Sequence, residues 1–252
     1  MVVRGGEGAN AGSGSPTVCR AGRISGSGLL AIRSANCRIL DSSKNNPINL
    51  LFVGRLHASK GPDIALDALA EVLSRGCDAE LAIVGHSDDP IYADALKKQA
   101  HNLGIADKVS WRGRLDRTML PDVYRSADLL LFVSRLSHEG QGLTYLEAMA
   151  SGIPVVASPS GGAKEFLTRY PIARLTKGCN GRSFADEIIE IIQHPEKANQ
   201  LVSEALAVVR HQASLETYID AIAEELYAAS RNGLLRSTSP AICSDKTVSH
   251  FE

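Results

Sequence analysis

The chain has 252 residues, 44% hydrophobic and 22% charged, with a formal net charge of −1. These proportions suit a soluble globular protein of one large domain or two small ones, and they argue against a dedicated nucleic-acid binder, which carries a strong basic excess. The longest apolar run, Leu129–Val133, is five residues, against the roughly 20 a membrane helix needs. The five cysteines (Cys19, Cys37, Cys77, Cys179, Cys243) are scattered and form no CxxC pair. That favours reduced thiols and a cytoplasmic setting over a disulfide framework.

Residues 1–47 hold eight glycines, seven serines, six basic residues and two acidic ones. No sustained periodicity runs through them, so they read as an irregular leader or linker, a composition that an organelle transit peptide shares. Gly26-Ser27-Gly28-Leu29-Leu30-Ala31 matches GxGxxA, but the residues before it make a poor strand, which that fingerprint requires. From residue 48 strands and helices alternate. Ile48–Val53 reads as a strand buried on both faces. The pairs Ile64/Ala65, Ala68/Leu69 and Val72/Leu73 recur at helix spacing after Pro62, and Gly76 stops that helix. Leu81–Val84 is the next strand. Asp89-Pro90 caps and opens a helix running to Gly104. Val109–Trp111 is a short strand. Asp116–Ala127 reads as helix interrupted at Pro121. Leu129–Val133 and Ile153–Ala157 are buried strands on either side of a helix near Leu143–Ala150. Ser183-x-x-Asp186 resembles a capping box before Ile188/Ile189 and Ile191/Ile192. A last amphipathic helix carries Leu215, Tyr218/Ile219, Ile222 and Leu226, and residues 231–252 form a polar tail. The rhythm predicts an α/β, Rossmann-like parallel sheet with helices on both faces, whose ligands sit at the carboxyl ends of the strands.

Three loops at those ends carry candidate chemistry. Gly54-Arg55-Leu56-His57-Ala58-Ser59-Lys60-Gly61 follows the first strand; it is not a Walker A loop, yet Arg55, Lys60 and helix-start amides make a diphosphate cradle. The same two residues also fit ordinary surface cations. After Leu129–Val133 come Glu139, between His138 and Gly140, and Glu147, inside the following helix. Gly140 and Gly142 let backbone amides approach a ligand. Read alone, the pair is either a ligand clamp or a loop acid with a solvated helix acid. Gly161-Gly162 opens a third amide nest before Glu165.

The E-x7-E string with its continuation GLTYLEAMASGIPVVAS, the upstream G-R-L-x-x-x-K-G and the downstream G-G-x-x-E resemble family-4 retaining glycosyltransferases over roughly residues 48–230. Those enzymes have the GT-B fold, two Rossmann-like domains facing a cleft, and 48–230 would correspond to the C-terminal, donor-binding half. The resemblance implies a nucleotide-diphosphate sugar as donor and a carbohydrate or lipid-linked acceptor, with no metal or other cofactor. Arg55 and Lys60, after Gly54, would hold the diphosphate as leaving group. Glu139 would contact the transferred sugar and Glu147 the ribose. Amides around Gly140, Gly142, Leu143 and Thr144 would meet phosphate or sugar. Trp111-Arg112-Gly113-Arg114 resembles the base-binding edge, with Arg112 as its named contact. The sequence departs from the family in having Gln141 where Phe is common and Gly85-His86-Ser87 where G-x-G is frequent. The 48–230 stretch suits one Rossmann-like domain, so the acceptor domain is expected on a separate or missing segment.

No Asp-x-Asp pair and no H-x3-H or HExxH spacing suggests a metal site. A non-catalytic nucleotide-sugar-binding module is the alternative to a transferase. A nicotinamide-dependent oxidoreductase rests only on the βα alternation and Gly26–Ala31. Location is expected to be cytoplasmic, with attachment to a membrane surface left open.

Overall fold

The computed structural model describes residues 46–135 and 142–212. The leader up to residue 45, the loop 136–141 and everything from residue 213 on, including the helix expected at 215–226, lie outside the described residues.

Six strands form one sheet: β1 (Ile48–Val53), β2 (Ala79–Val84), β3 (Val109–Gly113), β4 (Leu129–Phe132), β5 (Val155–Ala157) and β6 (Arg174–Leu175). All neighbours are parallel, in the order β3-β2-β1-β4-β5-β6. The order reverses between β1 and β4, which opens a crevice beyond their carboxyl ends. At the opposite end Asp128 fixes the pairing of these two strands. Its carboxylate accepts from the backbone N–H and the side-chain amide of Asn49, both at 2.9 Å.

Among the described residues five α-helices connect the strands, α1 (Pro62–Ser74), α2 (Pro90–Asn102), α3 (Leu120–Ser126), α4 (Leu143–Ala150) and α5 (Gly161–Arg169), and α6 (Gly181–Gln193) and α7 (Pro195–Gln212) follow the last strand. Period-two alternation sends Leu50 and Phe52 of β1 to one face and Leu51 to the other, all buried. α1, α2 and α6 cover the first face, and α3, α4, α5 and α7 the second. Ile64, Ala65, Ala68, Leu69 and Val72 of α1 are all buried, as the helix spacing predicts. Burying one such leucine is worth about 1.5–3 kcal/mol. Asp89 caps α2 by accepting from the N–H groups of Ile91 and Tyr92.

Several local expectations change. Pro121 does not interrupt a helix; it lies in the first turn of α3, where its missing N–H would have no partner anyway. Ser183 is not the cap of α6. Asn180 is, accepting from the Ser183 N–H at 2.9 Å. The helix starts earlier because Gly181 lies against α1, where a Cβ would come within 2.5 Å of the Asp67 Cβ. The strand expected over Ile153–Ala157 begins at Val155. β6 and α7 were not expected at all: β6 has two residues, too few to show alternation.

Candidate functional site

The crevice between β1 and β4 is walled by the two loops expected to carry chemistry. After β1 the chain turns through Gly54, whose N–H donates to the Val84 carbonyl at 3.0 Å, and Leu56, whose N–H donates to the His86 carbonyl at 2.8 Å. The turn needs glycine opposite it, because a Cβ on Gly85 would fall 1.8 Å from the Gly54 carbonyl oxygen. Ala58–Lys60 then form a short 3-10 turn, capped by the His57 ring, which accepts from the Ser59 N–H. Gly61 follows with φ 62°, a conformation that favours glycine, and its missing side chain lets α1 begin against β4. A Cβ there would lie 2.5 Å from a Val133 methyl. Lys60 is half-buried at the end of the turn.

Arg55 is exposed. It lines a cavity of about 310 Å3 between the loops after β1 and β2, with His57, His86, Asp88 and Tyr92. Lys60 is not part of that wall. Both cations stand on the one loop between β1 and α1.

The loop after β4 enters the site through Ser134 and Arg135. Ser158, after β5, ties the two strand exits together: its hydroxyl accepts from the Ser134 N–H and donates to the Ser134 carbonyl, both at 2.9 Å. Arg135 reaches across to the first loop and pairs with Asp63, with Nη1–Oδ1 at 2.8 Å and Nη2–Oδ2 at 2.5 Å. Burial opposes the charge on Asp63, but the hydrogen bond and charge of Arg135 outweigh it and hold the carboxyl below its usual value. The Tyr92 hydroxyl also donates to Asp63, at 3.3 Å. Burial, then the Asp63 charge, pushes that phenol up to about 12. Glu139 and Gly140 lie outside the described residues.

Gly142, at φ 60°, starts α4 without a side-chain cap. A Cβ on Gly142 would meet the Phe132 ring at 2.8 Å. Glu147 is not a solvated helix acid. Its side chain is 12% exposed, accepts from the Tyr124 hydroxyl at 2.8 Å and faces Arg117 at 3.9 Å. Burial of Tyr124, followed by the Glu147 charge, raises its phenol well above the ordinary value. Arg112 is exposed on β3 and lines a separate groove of about 170 Å3 over the sheet, with Asn49, Glu80, Ser110 and Ser126. It is not brought together with Arg55 and Lys60. Gly161 and Gly162 open α5, whose cap Ser160 makes no side-chain cap hydrogen bond.

Two residues that organise the site were not found by sequence reasoning. Asp63 and Tyr124 carry no motif that singles them out. Their partners stand 72 and 23 residues away, and no local spacing signals either pair.

Residues 40–207 match the family described as glycosyl transferases group 1. A GDP-mannose-dependent alpha-(1-6)-phosphatidylinositol monomannoside mannosyltransferase of Mycobacterium tuberculosis is 32% identical over 154 residues, covering 59% of this chain and 39% of that protein. A D-inositol 3-phosphate glycosyltransferase of Segniliparus rotundus is 33% identical over 187 residues, covering 73% of this chain and 40% of that protein. The chain thus spans about two fifths of the length of these curated relatives. Among solved structures, HepE of Anabaena in complex with UDP superposes with a TM-score of 0.66 at 28% identity, over 73% of this chain and 49% of that one. The C-terminal domain of a group 1 glycosyl transferase family protein (LpcC) of Francisella tularensis shares the fold, with a TM-score of 0.58 at 21% identity over 67% of this chain and 87% of that one. With the matched segment covering the whole sheet and its loops, the chain belongs to the glycosyl transferases group 1 family.

Proposed function

We propose that the chain is the donor-binding half of a retaining, family-4-type glycosyltransferase that takes a nucleotide-diphosphate sugar. The observation that supports this best is the switch-point crevice itself. There the Lys60 turn follows β1, Ser134 and Arg135 follow β4, and Arg135 hydrogen-bonds across to the Lys60 turn. In this reading Lys60, with Arg55 reorienting from its cavity, stabilises the diphosphate as it leaves. The bond from the sugar's anomeric carbon to the diphosphate oxygen breaks, and the electron pair goes to that oxygen. Preorganised cations are suited to the charge that develops there, in the place a metal takes in other transferases. Glu139 holds hydroxyls of the sugar, Glu147 the ribose, and the amides of Leu143 and Thr144 a phosphate. The base lies towards the end of β3, beyond Arg112. Retention and the acceptor class rest on the family resemblance, and no helix among the described residues is long and apolar enough to cross a membrane.

A second reading, which the same crevice admits, is a nucleotide-sugar-binding module that performs no transfer of its own. Titrating UDP, GDP and ADP into the purified chain by calorimetry tests the binding that both readings require. Binding of one of them is expected. If a folded sample binds none of the three, nor their common sugar conjugates, both readings fall. Turnover assays then divide them: transfer by the chain alone eliminates the module, and Glu139→Gln should lower that turnover more than it lowers nucleotide affinity.

A further inference from the structure

Arg135 makes four hydrogen bonds to the neighbouring loop. Its backbone N–H donates to the Ser59 carbonyl at 2.8 Å. Its Nη1 donates to the Ala58 carbonyl at 2.6 Å and to Asp63 Oδ1 at 2.8 Å, and its Nη2 to Asp63 Oδ2 at 2.5 Å. Ala58 and Ser59 are the two residues before Lys60 in its 3-10 turn, and Asp63 is the second residue of α1 beyond it. One side chain therefore grips the chain on both sides of Lys60. α2 backs this grip from behind: Tyr92 donates to the Asp63 carboxylate, and the Gln99 amide donates to the Asp63 carbonyl at 3.1 Å and to Asp67 at 2.7 Å. Only a planar guanidinium can meet both carboxylate oxygens and a carbonyl at once; a lysine ammonium is a point charge without that fork.

We propose that Arg135 is a positioning residue, which sets the Lys60 turn at the height where the Lys60 amine meets the diphosphate of the donor. This deepens the donor-binding reading and rests on it. Arg135 does not touch the nucleotide. It carries the geometry of the loop after β4 to the loop after β1, so that the two walls of the crevice hold a fixed separation.

The test separates positioning from ordinary stabilisation by comparing a nucleoside diphosphate with its monophosphate. The pair used is that of whichever base the wild-type chain binds. Arg135→Ala is expected to weaken the diphosphate about tenfold while changing the monophosphate less than about twofold. Arg135→Lys should fall between. In a Lys60→Ala background, adding Arg135→Ala should cost nothing further, because the residue it positions is gone. Far-UV circular dichroism checks that each variant folds. If Arg135→Ala does not fold, Arg135→Lys and Asp63→Asn carry the same comparison. Equal losses for mono- and diphosphate, or additive losses in the double variant, overturn the proposal and leave the donor-binding reading intact. A wild-type chain that binds no nucleoside diphosphate overturns both.

Discussion

Helices α1 and α4 both leave the switch point from a glycine at positive φ, Gly61 at 62° and Gly142 at 60°. Neither glycine offers a side-chain cap, and each lies where a Cβ would strike the end of β4. Beyond that the two starts diverge. α1 continues with Pro62, which has no N–H, and with Asp63, whose carboxylate is taken by Arg135. α4 continues with Leu143, which is 51% exposed, and with Thr144, whose amide has no capping side chain. In the donor-binding reading proposed above, the same backbone device yields a joint at α1 and a receptor at α4. A helix dipole with spare amides attracts an anion, while a helix whose first turn is already satisfied mainly holds its neighbours in place.

Four measurements bear on this contrast. The largest effect is expected from Gly61→Ala, which adds a strained φ to an overlap with the rigid Val133 side chain. Urea unfolding should show a loss of about 2–4 kcal/mol. Gly142→Ala should lose less, about 1–3 kcal/mol, since its clash is with the tip of the Phe132 ring. A second change, Val133→Ala, should recover part of the Gly61→Ala loss. Equal losses with no recovery would show that the joint at α1 is no tighter than the start of α4.

Next comes Lys60→Ala, which should weaken nucleoside diphosphate binding about tenfold with little change in unfolding midpoint. A midpoint shift without an affinity change would move Lys60 from ligand to scaffold. Third, Glu147→Gln keeps an oxygen for the Tyr124 hydroxyl. It should therefore cost under about 1 kcal/mol of stability while lowering mono- and diphosphate affinity alike several-fold, whereas Asp63→Asn should cost about 1–2 kcal/mol and weaken the diphosphate selectively. Calorimetry and urea unfolding on both variants read the two columns side by side. The same response from both would erase the distinction between joint and receptor.

The smallest effect is the pH dependence of the joint. Asp63 has a folded-state pKa below its unfolded value, so the stability it contributes is present above the unfolded carboxylate pKa and is lost as pH falls through the lower folded value. The deficit of Asp63→Asn should accordingly be full near neutrality and shrink in acid. Thermal melts of both proteins through the acid range check the sign; a deficit that grows in acid would reverse it.

Much of this architecture was legible in the residues. Buried strands such as Leu129–Phe132 announce themselves by continuous apolar runs, and α1 by its four-residue repeat, because burial on two faces or one leaves a periodic mark. What was not legible depends on tertiary contact. Asn180 displaced Ser183 as a cap because α6 had to dock on α1 through Gly181. Arg112 read as the base-binding edge of the site; the register shift in the β2–β3 pairing beside it and the groove it lines had no sequence signal. The Arg55/Lys60 pair read as one cradle, and the 3-10 turn that ends at Lys60 had no signature in that reading. The Arg135–Asp63 pair had no sequence signature because its two members come from different βα units.

The docking of α6 has a consequence for how the chain acquires its structure. Phe184, Ala185, Ile188 and Ile191 of α6 belong to the same apolar cluster as Leu66, Leu69 and Val72 of α1, more than a hundred residues upstream. The first βα units can pair β1 with β2 and β3 early, through short connections. Their outer face then remains open to solvent until α6 has been synthesised and has returned to it. A nascent chain therefore presents a greasy α1 for most of its length, and the two halves of the sheet cannot mature independently. Moving Gly181 would delay that final closure rather than the first strand pairing. Refolding intermediates should accordingly bind hydrophobic dyes until α6 docks.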